Sequence, residues 1–349
     1  MTHPPLFFDG HNDTLLHLHL PERGQGRSFF EASELGHIDL PRARAANYAG
    51  GLFAIFAPGD GTAEIIETAD GYEVPLADAI DTGRANRVTY DVLERLYRLE
   101  TEADGAVRVV RDTADLTACL ADDALAVVVH LEGAEAVEPD LSNLDFLYAA
   151  GVRSIGLTWS RPNAFGHGVP YQYPHSPDTG PGLTDAGRDL VRACNDRGIV
   201  LDLAHLNEAG FFDVAALSDD PLVVSHTGAF ALNETTRSLT DEQLDTVEKS
   251  GGVVGITFCV TNIRADADNN PDTAISTFVD HIEYVAARIG VEHVAIGTDF
   301  DGATVPDAVG DVTGMPAVFA ALGERGFSEE AIRKIAFENW VRVLEETWT

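Results

Sequence analysis

"LAVVVHLEG", residues 125–133, decides the fold. Its first seven residues are apolar at every position but His130, so neither face of the segment is written for water. A strand with one wet face alternates, whereas an unbroken apolar run is expected where helices cover both faces of a parallel sheet. Gly133 then breaks the run, leaving Glu132 at its end.

Seven comparable runs lie on either side, at residues 6–9, 51–57, 152–158, 199–204, 222–225, 253–258 and 293–297. The stretches between them carry helical periodicity, as in Val88, Val92, Leu96 and Leu99, or in residues 183–195. Helix starts are signalled by Thr184 and by "SLTDEQL", where Thr240 and Gln243 stand at capping-box spacing. Strand and helix alternating eight times predict a (β/α)8 TIM barrel, an α/β fold with residues 1–349 as a single domain. A doubly wound open sheet is the structural alternative. Residues 59–82 and 163–181, rich in Gly, Pro and Asp, read as loops over the barrel mouth.

Composition narrows the partners. Lys+Arg is 23 against Asp+Glu 57, a net charge of −34, and Lys249 and Lys334 are the only lysines. Such a surface repels nucleic acid and anionic lipid. Acids dispersed along the whole chain, with lysine almost absent, suggest adaptation to a salt-rich, halophilic cytoplasm, because concentrated salt screens self-repulsion. No run approaches the roughly 20 apolar residues of a membrane helix, and the N-terminus lacks the order of a signal peptide. A cytoplasmic protein is expected. Cys119, Cys194 and Cys259 form no CxxC pair and read as buried free thiols.

Catalytic groups of such a barrel sit at the C-terminal ends of the strands. The polar residues there are His11 and Asp13 after the first run, Glu132 after the third, His205 after the fifth, His226 after the sixth and Asp299 after the eighth. In "FDGHNDTLLHL", His11 and Asp13 are two residues apart and can face the same way. Three imidazoles and three carboxylates around one mouth suit zinc or a similar divalent ion. Glu132 falls between the two ends of the set and is the expected bridge between two ions. A carbamylated lysine is an alternative bridge in barrels, but neither lysine stands at a strand end.

With these residues in place, the chain resembles the membrane (renal) dipeptidase family of zinc metallopeptidases. The likeness is collinear through "DGHND" (9–13), "DLPR" (39–42), "LEG" (131–133), "GLT", "LVRACNDRGIVLDLAH" (190–205), "SHT" (225–227) and "GTDFDG" (297–302). It implies two Zn2+ ions, one on His11, Asp13 and Glu132 and the other on Glu132, His205 and His226. It also implies Asp299 as the proton-transfer group and Arg237 as the grip on the substrate carboxylate. Two positions depart from the family pattern. Trp159 stands where family members often have a histidine that stabilises the tetrahedral intermediate; its indole N–H, or His167 on the same loop, is the expected substitute. Cys259 stands where an aromatic hydroxyl would help hold the carboxylate.

The expected activity is hydrolysis of dipeptides by a metal-bridged hydroxide, Asp299 carrying the proton from water to the leaving amine. Asp9 and Asp301 are expected to orient the ligands, and His130 to pack in the core. The alternatives are another metal-dependent hydrolase, such as an N-acyl amino acid deacylase or lactonase, or a catalytically impaired peptide-binding barrel. A homodimer is the expected assembly.

Overall fold

The computed structural model describes residues 4–60 and 64–348. Eight strands form the barrel wall: β1 (Phe7–Asn12), β2 (Tyr48–Phe56), β3 (Leu125–Glu132), β4 (Val152–Gly156), β5 (Val200–Asp202), β6 (Val223–Thr227), β7 (Val253–Ile256) and β8 (Val294–Ile296). Each pairs in parallel with the next in chain order. The open-sheet alternative fails at the seam between β8 and β1. There Asp299 N donates to His11 O at 3.0 Å and Asp13 N donates to Phe300 O at 2.8 Å, nearly closing the wall.

The register of β3 explains why its sequence was so informative. It runs against β2 without a bulge from Gly50↔Ala126 to Phe56↔Glu132, and all eight of its residues are buried. Strand-lining residues Phe8, Leu52, Ala126, Val128, Val200, Val223, Val253 and Ala295 form one apolar cluster with Trp340. Trp340 comes from the last helix, Asn339–Thr347, is 1% exposed, and donates its indole N–H to Ile296 O at 2.9 Å. Gly10 is glycine for this reason: a Cβ there would stand 2.2 Å from the Trp340 ring. Removing so large a buried ring is expected to cost about 3–5 kcal/mol.

The helices begin where the sequence signals them. The helix Thr82–Glu102 buries Val92, Leu96 and Leu99. Thr184 caps Asp185–Asn195 by accepting from Gly187 N at 3.0 Å, and Thr240 with Gln243 closes a capping box on Asp241–Lys249. Each cap is worth about 1 kcal/mol.

Residues 59–82 and 163–181 are not wholly irregular. They contribute Ile66–Glu67, Tyr72–Val74 and Tyr171–Tyr173 to a small antiparallel sheet whose residues line the barrel mouth. A short parallel strand, Val107–Val109, also pairs with the start of β3. Among the described residues no helix is long and apolar enough to cross a membrane.

Candidate metal centre

The six polar residues at the strand ends converge. His11 lies within β1, which runs three residues further than its apolar pattern, because Asp13 and Asp299 extend the backbone ladder at the seam. Glu132 is the last residue of β3, and His226 lies in β6. His205 and Asp299 sit beyond β5 and β8 on left-handed backbone, φ +64° and +60°. Such conformations cost on the order of 1–3 kcal/mol in non-glycine residues and persist where the surroundings impose them.

Distances define the cluster. His11 Nε2 lies 3.5 Å from Asp13 Oδ2 and 3.8 Å from Glu132 Oε1. His205 Nε2 lies 3.2 Å from the same Glu132 oxygen and 3.0 Å from His226 Nε2. Ligand atoms of His11, Asp13 and Asp299 lie within 4.8 Å of one another, as do those of His11, Glu132 and His226. Gly302 makes room for this: a Cβ there would stand 2.2 Å from Asp13 Oδ2 and 2.4 Å from Asp299 Oδ1.

Burial dominates the electrostatics of the site. Burial, with Asp13 nearby, pushes Glu132 up to about 8, and burial pushes Asp299 up to about 7. Burial opposes a charge on His11, yet Glu132 and Asp13 hold its pKa up at about 10. His205 and His226 are driven well below the ordinary range, first by burial, then by nearby Arg237 and His11. Both ring nitrogens of His11 are buried without a hydrogen-bond partner. Buried polar atoms are rarely left so, and imidazole with carboxylate is a donor set for divalent metal. The residues therefore fit such an ion.

Asp13, Glu132, His205 and Asp299 line a cavity of about 910 Å³, also lined by Arg237, Trp159 and Cys259. That volume falls in the range of small-molecule sites. Arg237 is 5% exposed; its guanidinium donates to His226 O at 3.3 Å, while its Nε has no partner. Trp159 packs 4.9 Å from the Phe56 ring and 5.9 Å from that of His205, with the Arg161 guanidinium 5.2 Å over it. Arg161 is fully buried and paired with Glu135 at 2.9 Å.

Some expectations need correction. Cys259 is half-buried and faces the cavity, its thiol pushed up to about 11 by burial. His167 is not among the residues lining the cavity. Tyr72, Tyr171 and Tyr173 are, and sequence reasoning missed them. For Tyr171 and Tyr173 the signal was the aromatic spacing of "VPYQYP" inside a stretch already placed over the mouth. Asp9 receives Thr298 N at 2.8 Å and His11 N at 3.2 Å, and Asp301 receives the Thr14 hydroxyl at 2.8 Å, so both brace segments that carry site residues.

Comparison with known proteins bears on the chemistry. The membrane dipeptidase family, peptidase family M19, matches residues 1–349. A metallopeptidase from Rhodobacter sphaeroides, solved with a phosphinate mimic of the dipeptide L-Ala-D-Ala, is 41% identical. It superposes with TM-score 0.93 over 99% of both chains. A structure of dipeptidase AC, a metallopeptidase of family M19, is 42% identical, with TM-score 0.93 over 100% of this chain and 99% of its own. The dipeptidase tcpJ of Claviceps purpurea is 28% identical across 97% of this chain and 76% of its own.

Proposed function

Because this chain belongs to the membrane dipeptidase family and is a metallo-dipeptidase, we propose that it hydrolyses dipeptides with two zinc ions. His11, Asp13 and Glu132 would hold one ion; Glu132, His205 and His226 would hold the other. The observation that carries this reading is the place of Glu132 Oε1, 3.8 Å from His11 Nε2 and 3.2 Å from His205 Nε2. When bound, such ions supply Lewis acidity, polarising the scissile carbonyl and making hydroxide available near neutral pH.

The chain's own groups supply the rest. The Arg237 guanidinium, buried with Nε unpartnered, grips the substrate's terminal carboxylate through charge-assisted hydrogen bonds. Trp159 forms the wall beside His205 and holds the substrate against it. The Asp299 carboxylate takes the proton from the attacking water and returns it to the amine nitrogen as the peptide bond breaks.

The test is turnover of L,L and L,D dipeptides by zinc-loaded protein, beginning with L-Ala-D-Ala, against N-acyl amino acids and lactones. Dipeptides as the best substrates support the reading; a lactone or N-acyl amino acid turned over faster would replace it.

Three further readings accompany it. The net charge of −34 supports a salt-adapted protein. Three free thiols support a reducing, cytoplasmic setting. The chain is read as one domain that forms a homodimer, the commonest assembly of soluble oligomers.

A further inference from the structure

Beneath the paired imidazoles a line of buried polar groups crosses four strands of the barrel. Asp202, at the end of β5, is 1% exposed. Its Oδ1 accepts from Ala204 N at 3.1 Å and Ser225 N at 2.8 Å, and its Oδ2 accepts the Ser225 hydroxyl at 2.6 Å. Ser225 Oγ lies 2.8 Å from His226 Nδ1. On the other side, His130 Nε2 on β3 approaches Asp202 Oδ2 at 3.5 Å, and its Nδ1 lies 2.9 Å from Ser154 Oγ on β4. Asp202, Ser225, His130 and Ser154 are not among the residues lining the cavity.

The direction of each hydrogen bond follows from counting protons. A carboxylate only accepts, and a serine hydroxyl has one proton to give. Ser225 gives that proton to Asp202, so toward His226 its oxygen can only accept. His226 must then carry its hydrogen on Nδ1, which leaves a lone pair on Nε2, the atom that faces His205 Nε2 at 3.0 Å. We infer that Asp202, acting through the Ser225 hydroxyl, is a positioning residue that fixes the tautomer of His226 and aims its Nε2 lone pair at the metal centre. This rests on the metal reading above. Partners of this kind orient an imidazole and raise its basicity, and losing one typically costs 10–100-fold in metal affinity.

Asp202→Asn tests the idea with almost no change of shape. Two backbone N–H groups point at Oδ1, so the amide oxygen must take that place and the amide NH2 must face Ser225. Ser225 then accepts from the amide and turns its own proton toward His226 Nδ1. The imidazole hydrogen moves to Nε2, where it opposes a cation. Two readouts are expected to change together. Nitrogen-15 shifts of His226 in the metal-free protein switch from the Nδ1–H to the Nε2–H tautomer, and Zn2+ affinity, measured by competition with a fluorescent chelator, falls about 10–100-fold. Ser225→Ala, which removes the link altogether, should weaken Zn2+ binding to a similar degree. If wild type takes up Zn2+ and both variants match its affinity, with the tautomer of Asp202→Asn unchanged, the relay is overturned even where thermal stability drops. If wild type itself takes up no Zn2+, the metal reading falls, and this inference falls with it.

Discussion

His205 and His226 meet nitrogen to nitrogen, their Nε2 atoms 3.0 Å apart and both rings buried. Two lone pairs at that distance repel unless a proton or a cation is shared between them. Burial and the neighbouring charges of Arg237 and His11 make a proton a poor choice, since both pKa values lie well below the ordinary range. Divalent metal answers the same need without requiring an imidazolium in a desolvated barrel. With Glu132 3.2 Å from His205, one short reach of side chains gathers a complete set of nitrogen and oxygen donors.

On the proposed reading, Asp299 moves a proton and is not itself a metal ligand. Asp299→Asn keeps the shape of the side chain but cannot accept a proton. It should retain most of the bound zinc while kcat falls by at least about 100-fold. Metal analysis and initial rates on one preparation check this. Loss of zinc in step with activity would make Asp299 a ligand, and full activity would move the base elsewhere.

Acid should destabilise the protein partly through His281, which is not among the residues lining the cavity at the metal centre. Its Nδ1 accepts from Ala229 N at 2.9 Å, its Nε2 lies 3.0 Å from Ile263 O, and burial lowers its pKa to about 4. An unfolded histidine titrates near 6.5. Between these values the unfolded state binds a proton that the folded state refuses, so this contribution is intact above about pH 6.5 and is lost as pH falls toward 4. The full loss is roughly 3 kcal/mol. His281→Gln lacks the titration, so its urea-unfolding free energy should drop less between about pH 7 and pH 4.5. Equal drops in the two proteins would contradict the assignment.

How much of this was legible in the sequence depends on whether the deciding contacts are local. The strand runs were readable because both faces of a parallel barrel strand are apolar, and β3 came within one residue of its bounds. The end of β1 was not, because polar His11 and Asn12 break the apolar pattern while hydrogen bonds from the distant 299–300 segment extend the strand. The mouth sheet escaped for a similar reason. Its strands are two or three residues long, and Tyr72 finds its partner Tyr173 only in the folded chain. Metal-ligand candidates could be named from their strand-end positions alone. Trp340 under Gly10, and Asp202 behind Ser225, depend on packing that no periodicity announces.

Salt should stabilise the fold if the net charge of −34 is an adaptation. The Debye length is about 30 Å at 0.01 M salt and about 3 Å at 1 M, so self-repulsion spans much of the surface only when salt is scarce. Tm should rise across that range in sodium chloride. Well below molar concentration, chloride and sulfate matched for ionic strength should act alike, whereas salting-out would favour sulfate. A Tm that does not move between 0.01 M and 1 M sodium chloride would refute the adaptation and leave the peptidase assignment intact.

Glu132 is proposed to serve two zinc ions at once, and the sharpest test is the zinc content of Glu132→Gln beside wild type. Gln keeps the size of the side chain but removes the charge that each ion would share. Wild type should hold two zinc ions per chain after loading and dialysis, whereas Glu132→Gln should hold one or none and lose dipeptide turnover with it. Two ions per chain in the variant, with activity retained, would contradict the account.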